Sequence, residues 1–401
     1  MAVIRPFRAV RPSRESAAAV SSVPYDVVST DEARTISSGD PLSFLHVTRA
    51  EIDLPPGTDP YSPPVYAKAR ENFQKLRDAA PLLTEGAPSL YFYRLRMGGH
   101  EQTGLAACFS LDEYDHDQIK KHERTRRDKE DDRTRHMIEL RAQTGVVFLT
   151  YKADAAVDRL ALAVTADAPL YDFRAADGVH HTVWKVGPRE ATELMDAFAR
   201  IPALYIADGH HRAASAARTR AELNTAESNT FIAVAFPDSE VNILPYNRVV
   251  KDLAGETPEA FVAALGAKLP VAPGRATPRG KGEVSMFLGG VWYAIDLSAA
   301  SPADGSRAQS LDVARLEHHV LGPLLKIGDI RTDKRIDFVG GARGTAALEN
   351  AVTGGQAAVA FSLHPVTIED LMAIADEGGI MPPKSTWFEP KLRDGLLVHV
   401  I

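Results

Sequence analysis

From Tyr205 to Ala216 the chain reads YIADGHHRAASA, a stretch that dictates a strand, a sharp turn and a helix within a dozen residues. An apolar run stops at Asp208-Gly209, two histidines and an arginine follow, and a small-residue run begins at once. The first-turn N–H groups of such a helix lack intrahelical partners, and the helix dipole places partial positive charge there. Gly209 allows a tight turn and close approach of a ligand. His210, His211 and Arg212 add donors at the same end, and Arg212 can clasp an oxyanion at two points. Cations at a helix N-terminus oppose the dipole, so their clustering is best explained by an anion. Asp208 is placed to cap the helix, to ligate a metal or to accept a proton. A phosphate or nucleotide cradle is the favoured reading. A zinc site is less favoured, because paired zinc histidines usually stand four residues apart on one helix face. A capped polar turn is the simplest alternative. On the favoured reading Arg212 serves ligand binding and is dispensable for folding.

At 401 residues the chain is expected to form two domains, with a boundary at the linker 224–229. That gives an N-terminal α+β domain, 1–224, carrying DGHHR, and a C-terminal α+β domain, 225–401, lending loops to the same cleft. The net charge of −7 argues against a nucleic-acid partner. A single cysteine, Cys108, excludes an intrachain disulfide framework. The opening MAVIRPFRAVRPSRES is interrupted by arginine and proline, so no leader, no membrane span and a cytoplasmic location are expected.

Periodicity predicts strands at SLYFYRLRM, TGLAACFSLDEY, GVVFLTYKA, HHTVWKV and ALYIA. A helix is predicted over 65–83, another over REATELMDAFARI, and a third after Gly209. A short helix capped by Ser29 or Thr30 follows the turn at VPYD. RLALAVTADAPLYDF reads as a strand leading into a turn. TFIAVAFPDSEVNILPYNRVVKDL reads as two strands around Pro237-Asp238-Ser239, and later segments alternate helix and hairpin.

The segment 120–136, KKHERTRRDKEDDRTRH, has no aliphatic or aromatic residue and is expected to be solvated throughout, as a salt-bridged helix or a lid. Phosphoryl transfer needs positioning, charge neutralisation and a base near the acceptor hydroxyl. Glu123 is the candidate base here, and Arg126 and Lys129 the candidate phosphate clamps. RIDFVGGARG lacks the spacing of a phosphate-binding P-loop. In MPPKSTWFEPKL, Lys384 and Ser385 lie between prolines and aromatic anchors and, with Arg248 from LPYNRVV, are candidate substrate contacts.

The strings RPFRAVRP, VPYDVV, KHERTRRDKEDDR, TGVVFLTY, ADGHHR, ILPYNRVVKDL and MPPKSTWFEPKLR resemble the family labelled domain of unknown function 1015. ADGHHR is also similar to the motif of free serine kinases of the ParB/sulfiredoxin-like superfamily. Those enzymes phosphorylate free L-serine from a nucleotide with magnesium; their catalytic glutamate lies in an N-terminal segment that does not align with this chain. The resemblance implies an α+β fold with mixed sheets, a ParB/sulfiredoxin-like nucleotide-binding core and a second α+β domain. It implies that Asp208, Gly209, His210, His211 and Arg212 line a nucleotide-phosphate site.

The expectation is a phosphotransferase using ATP or ADP with Mg2+ to phosphorylate a small hydroxylated metabolite, free L-serine first. Asp208, Glu123 and His211 are its catalytic candidates, and Asp208 its metal ligand. A phosphatase, a nucleotide hydrolase and a non-catalytic nucleotide-binding module are the alternatives. A homodimer is compatible with the chain.

Overall fold

The computed structural model describes residues 2–78, 82–302 and 304–401. It is an α+β protein of two compact units. The first comprises Met1–Lys121, Thr125–Val241 and Pro390–Ile401; the second comprises His122–Arg124 and Asn242–Glu389. The expected boundary at 224–229 is therefore displaced. The strand that follows it lies in the middle of the first unit's sheet, and the last dozen residues return to that unit.

The first unit is built on nine strands: β1 (Ile4–Arg5), β2 (Tyr91–Met97), β3 (His100–Ser110), β4 (Ile119–Lys120), β5 (Val147–Tyr151), β6 (Tyr171–Arg174), β7 (His180–Lys185), β8 (Leu204–Asp208) and β9 (Thr230–Pro237). Their order is β4-β8-β5-β9-β3-β2-β7-β6, with β1 added to β3. The β9–β5 and β8–β4 pairs are parallel and the rest antiparallel, so the sheet is mixed. β9 is buried along its whole length, as its continuous apolar run requires of a strand covered on both faces.

The helices of this unit are α1 (Pro63–Asp78), α2 (Arg127–Leu140), α3 (Ala155–Thr165), α4 (Pro188–Phe198) and α5 (His210–Leu223). The short helix Thr30–Ile36 is closed by a Ser29–Glu32 capping box. Residues 79–81 of the predicted helix 65–83 lie outside the described residues. RLALAVT is helix rather than strand: Asp154 accepts from the N–H groups of Ala156 and Val157, and Val157, Leu160 and Val164 bury one face.

The charged segment also departs from expectation, because α2 buries Asp132, Arg133, Thr134 and His136. Its charges are satisfied inside. Arg133 Nε meets Asp132 Oδ2 at 2.8 Å, and Tyr66 donates its hydroxyl to Asp132 at 2.9 Å. The Arg133 guanidinium stands 4.1 Å from the Tyr25 ring centroid, and His136 bonds to Val47 O at 3.0 Å. Paired ions and polar rings thus replace the missing aliphatic residues.

The second unit holds the antiparallel strands β10 (Tyr246–Val250), β11 (Val271–Pro273), β12 (Glu283–Leu288), β13 (Val291–Asp296), β14 (Ile336–Gly340) and β15 (Val359–Ser362). They are ordered β11-β13-β12-β15-β10-β14. Its helices include α6 (Pro258–Gly266), α7 (Gly344–Thr353) and α8 (Ile368–Asp376). Thr257 caps α6 and Thr367 caps α8. Gly340 is glycine because a Cβ there would stand 2.6 Å from the Trp387 ring. Among the described residues no helix is long and apolar enough to cross a membrane.

Truncating Asp132 to alanine should lower the unfolding free energy by about 3–5 kcal/mol, since it strands buried Arg133. Removing the exposed Asp31 partner of Arg34 should change it little. Urea denaturation of both variants checks the contrast.

Candidate functional site

β8 ends at Asp208, Gly209 turns with φ +99°, and α5 starts at His210 with no side-chain cap. The left-handed backbone is one reason for glycine here. The other is contact: a Cβ at Gly209 would lie 3.1 Å from Arg212 Nε, because that side chain folds back over the turn. Gly145 faces it from the opposite flank, 3.0 Å from Arg212 Cδ by the same construction.

Arg212 is turned inward and is 3% exposed. Its Nη1 donates to Val146 O, and its Nη2 faces Asp26 Oδ2 at 3.4 Å and Asp208 Oδ1 at 3.6 Å. The expected oxyanion clasp is therefore not what this guanidinium does. It ties the VPYDVV turn, the start of β5 and the end of β8 into one knot.

Asp208 is engaged twice, because Lys391 Nζ lies 3.1 Å from its Oδ2. Although burial opposes ionisation, Lys391 and Arg212 together hold this carboxyl far below the ordinary range. A carboxylate so stabilised is a poor proton acceptor at neutral pH, which removes Asp208 from the base role. Both its oxygens face cations, and among the described residues no group of three or more acidic, histidine or cysteine side chains is arranged to hold a metal. The donor set does not fit a metal held by the protein.

Asp394 behaves in the opposite way. It is 2% exposed, its Oδ2 has no hydrogen-bond partner, and burial pushes its carboxyl up to about 7 despite the nearby Arg212. Asp26 is the accessible member of the group, with its side chain 40% exposed. Neither Asp26, Lys391 nor Asp394 is singled out by the sequence reading. The strings VPYDVV and MPPKSTWFEPKLR, which hold Asp26 and Lys391, are noticed there and Asp394 lies one residue past the second, yet nothing local says that they meet Gly209 from across the chain.

The second feature of the site is helical. Arg126, the N-cap residue of α2, donates its N–H to His211 Nε2 at 2.9 Å. Farther along, Ser215 donates to Glu130 O at 3.1 Å, Arg218 reaches Glu130 and Asp131, and Thr219 contacts Met137. α2 and α5 therefore run side by side in the same direction, with their N-termini together. Neither N-cap residue supplies a side-chain cap. Two parallel dipoles place their positive ends at one spot.

The remaining candidates lie elsewhere on the two units. His210 is buried beside Asp208 and helps to keep that carboxyl ionised. The exposed Arg126 side chain grips Asp128 at 2.7 and 3.1 Å, and Lys129 lies over the Tyr61 ring, 5.1 Å from its centroid. Both are committed to neighbours at the surface of the first unit. Glu123, Arg248, Lys384 and Ser385 belong to the second unit. There Arg248 donates to Lys384 O at 2.9 Å, and Ser385 donates its hydroxyl to Pro382 O at 2.6 Å.

Residues 4–314 match the family model described as protein of unknown function (DUF1015). The chain belongs to this family. A search of curated proteins finds no match. Similar solved structures include a free serine kinase in complex with AMP, at 13% identity over 73% of this chain and 91% of that one, TM-score 0.38. Others are a conserved hypothetical protein from Pyrococcus furiosus, at 14% identity over 74% and 95%, TM-score 0.38, and SbnI with a C-terminal truncation from Staphylococcus aureus, at 12% identity over 74% and 87%, TM-score 0.41.

For this DUF1015 member the buried charges set two measurable outcomes. Replacing Arg212 with methionine should cost roughly 3–5 kcal/mol of stability, because it leaves buried carboxylates uncompensated; chemical denaturation measures it. The raised Asp394 carboxyl favours the fold fully below its unfolded value near about 4 and loses that contribution as pH rises through about 7. Asp208, held low, acts in the opposite sense and weakens the fold only on acidification below about 4. Stability should therefore fall between about pH 5 and 8 in the wild type and fall less in Asp394→Asn, as read from urea midpoints.

Proposed function

We propose that this chain is a nucleotide-dependent phosphotransferase whose acceptor is a small hydroxylated metabolite, free L-serine first among them. The observation that carries the reading is the junction of α2 and α5, two uncapped parallel helix N-termini bridged by His211. An anion at that junction relieves the unfavourable meeting of two positive dipole ends. The terminal phosphates of ATP or ADP supply such an anion. The similarity of ADGHHR to the free-serine-kinase motif supports the same assignment.

Asp26 is the proposed base. Its carboxylate is exposed at the turn and held in place by Arg212, which lies against Gly209 at the start of α5. The acceptor oxygen attacks the terminal phosphorus and forms the new O–P bond. The bond from phosphorus to the bridging oxygen breaks with its electron pair leaving on the nucleotide, and the hydroxyl proton passes to Asp26. Lys391 and Arg212 hold Asp208 between them, which fixes the end of β8 and with it the turn that aims the start of α5. Magnesium enters only as part of the nucleotide complex, since the residues here do not fit a protein-held ion.

Incubating the full chain with ATP or ADP, magnesium and L-serine should yield O-phosphoserine. Asp26→Asn should lower the transfer rate by roughly 10²–10⁴ while nucleotide affinity is kept. If ATP, ADP and CTP are all left unchanged in the presence of serine, the phosphotransferase reading falls. Unaltered transfer by Asp26→Asn would remove Asp26 from the base role.

A further inference from the structure

Asp26, Asp208 and Asp394 all face the charge of Arg212, yet each meets different surroundings. Asp208 has Lys391 at 3.1 Å on one oxygen and Arg212 at 3.6 Å on the other, with His210 buried beside it. Asp26 faces Arg212 at 3.4 Å and reaches water, its side chain 40% exposed. Asp394 has neither advantage. Its backbone pairs with Ser22 in both directions, its N–H donating at 2.9 Å and its carbonyl accepting at 3.1 Å, which sets it beside the turn that carries Asp26. The next residue, Gly395, lies so close to Phe44 that a Cβ would stand 2.8 Å from that side chain, and Asp394 itself is 2% exposed. Its carboxyl accepts the N–H of Val146, and the carbonyl of that residue accepts from Arg212 Nη1. Oδ2 has no donor.

The groups that bear on this carboxyl are Arg212 on α5, Asp26 on the turn, Arg133 on α2 and Tyr93 on β2. Arg133 is committed to Asp132 at 2.8 Å, and the Tyr93 hydroxyl is bonded to His181 Nδ1 at 2.8 Å. Arg393, its neighbour in the chain, pairs with Asp177. What remains for Asp394 is a share of one guanidinium that also serves Asp26 and Asp208. A sealed carboxylate with so little compensation readily holds a proton. Burial raises its carboxyl to about 7 in agreement with that placement.

The same Arg212 folds over the start of α5, its Nε 3.1 Å from where a Gly209 Cβ would stand. An anion arriving at that helix start draws on the guanidinium and adds negative charge to the group that Arg212 compensates. Both effects favour the protonated carboxyl over the carboxylate. We infer that Asp394 takes up a proton from solvent when a phosphate group binds at the start of α5, so that the hold on the ligand depends on pH. A neutral Asp394 leaves the field of Arg212 to the ligand, and an ionised one competes for it. Because the bound form has the higher proton affinity, binding is tightest where Asp394 is protonated throughout and weakens as pH rises from about 7. The inference rests on the proposed phosphate site for the place of the anion and adds the regulation of that site.

Calorimetry of ADP binding to the full chain at pH 7.5, in buffers of different ionisation enthalpy, counts the protons taken up. If binding raises the proton affinity of Asp394 about tenfold, uptake should be roughly half a proton per ADP. Asp394→Asn stays neutral and keeps an acceptor for the Val146 N–H, so it should lose this uptake. Relative to that variant, the wild type should lose roughly tenfold in affinity between pH 6 and 9. Infrared difference spectra of the wild type should gain a protonated-carboxyl band when ADP binds, which decides the matter even where the variant folds poorly; a histidine taking the proton would give no such band. ADP binding without uptake, without that band, or with uptake undiminished in Asp394→Asn overturns the inference and leaves the phosphotransferase reading standing. Proton uptake by Asp394 with no phosphate transfer to any hydroxyl acceptor sinks the phosphotransferase reading alone. Absence of ADP binding from pH 6 to 9 sinks both.

Discussion

The first unit depends on the buried guanidinium of Arg212. Three chain segments far apart in sequence end on it: the VPYDVV turn through Asp26, β5 through the Val146 carbonyl, and β8 through Asp208. The C-terminal segment joins through Lys391 on Asp208 and through Asp394, whose charge Arg212 partly offsets. Burying a guanidinium is costly unless its charge is met and its donors are used. Gly145 and Gly209 leave room for it, so the glycine of DGHHR is a packing requirement of the arginine as much as a turn requirement. A motif that reads as a set of ligand contacts is thus half scaffold. Arg212 sets the turn, and the turn aims the backbone of α5.

That division clarifies how carboxylates of one type acquire different properties within a few ångströms. Asp208 receives a lysine and an arginine and stays ionised well into acid. Asp394 receives little more than the attenuated field of an arginine shared with others, and burial prevails. Asp26 remains at the surface. Environments that separate the proton affinities of neighbouring carboxyls are the usual means of assigning acid, base and anchor to chemically identical groups. The parallel pairing of α2 with α5 adds a fixed positive field that no side-chain titration removes.

Much of this is legible in the sequence wherever a local pattern carries the information. β8, the turn at Gly209, α5, the β2–β3 hairpin and the Ser29 cap follow from periodicity and cap chemistry alone. Sequence reasoning fails where a distant partner decides the outcome. The 120–136 segment reads as wholly solvated because it lacks apolar residues, yet α2 buries a face of it against Tyr25, Tyr66 and Val47. The domain boundary is misplaced for the same reason, since only sheet order shows that β9 lies between β5 and β3. Asp26 and Asp394 escape notice because their role is conferred by Arg212, far away in the chain. RLALAVT misleads for a local reason, its alternating apolar residues outweighing the Asp154 cap.

Arg212 and Arg248, both deeply buried, show how differently two surroundings act on the same charge. Arg212 meets carboxylates on two sides, and its pKa moves upward because ionisation is what its surroundings favour. Arg248 is as thoroughly buried but meets only carbonyl oxygens and a ring, and its pKa moves downward. Hydrogen bonds to neutral acceptors hold a guanidinium in place without compensating its charge.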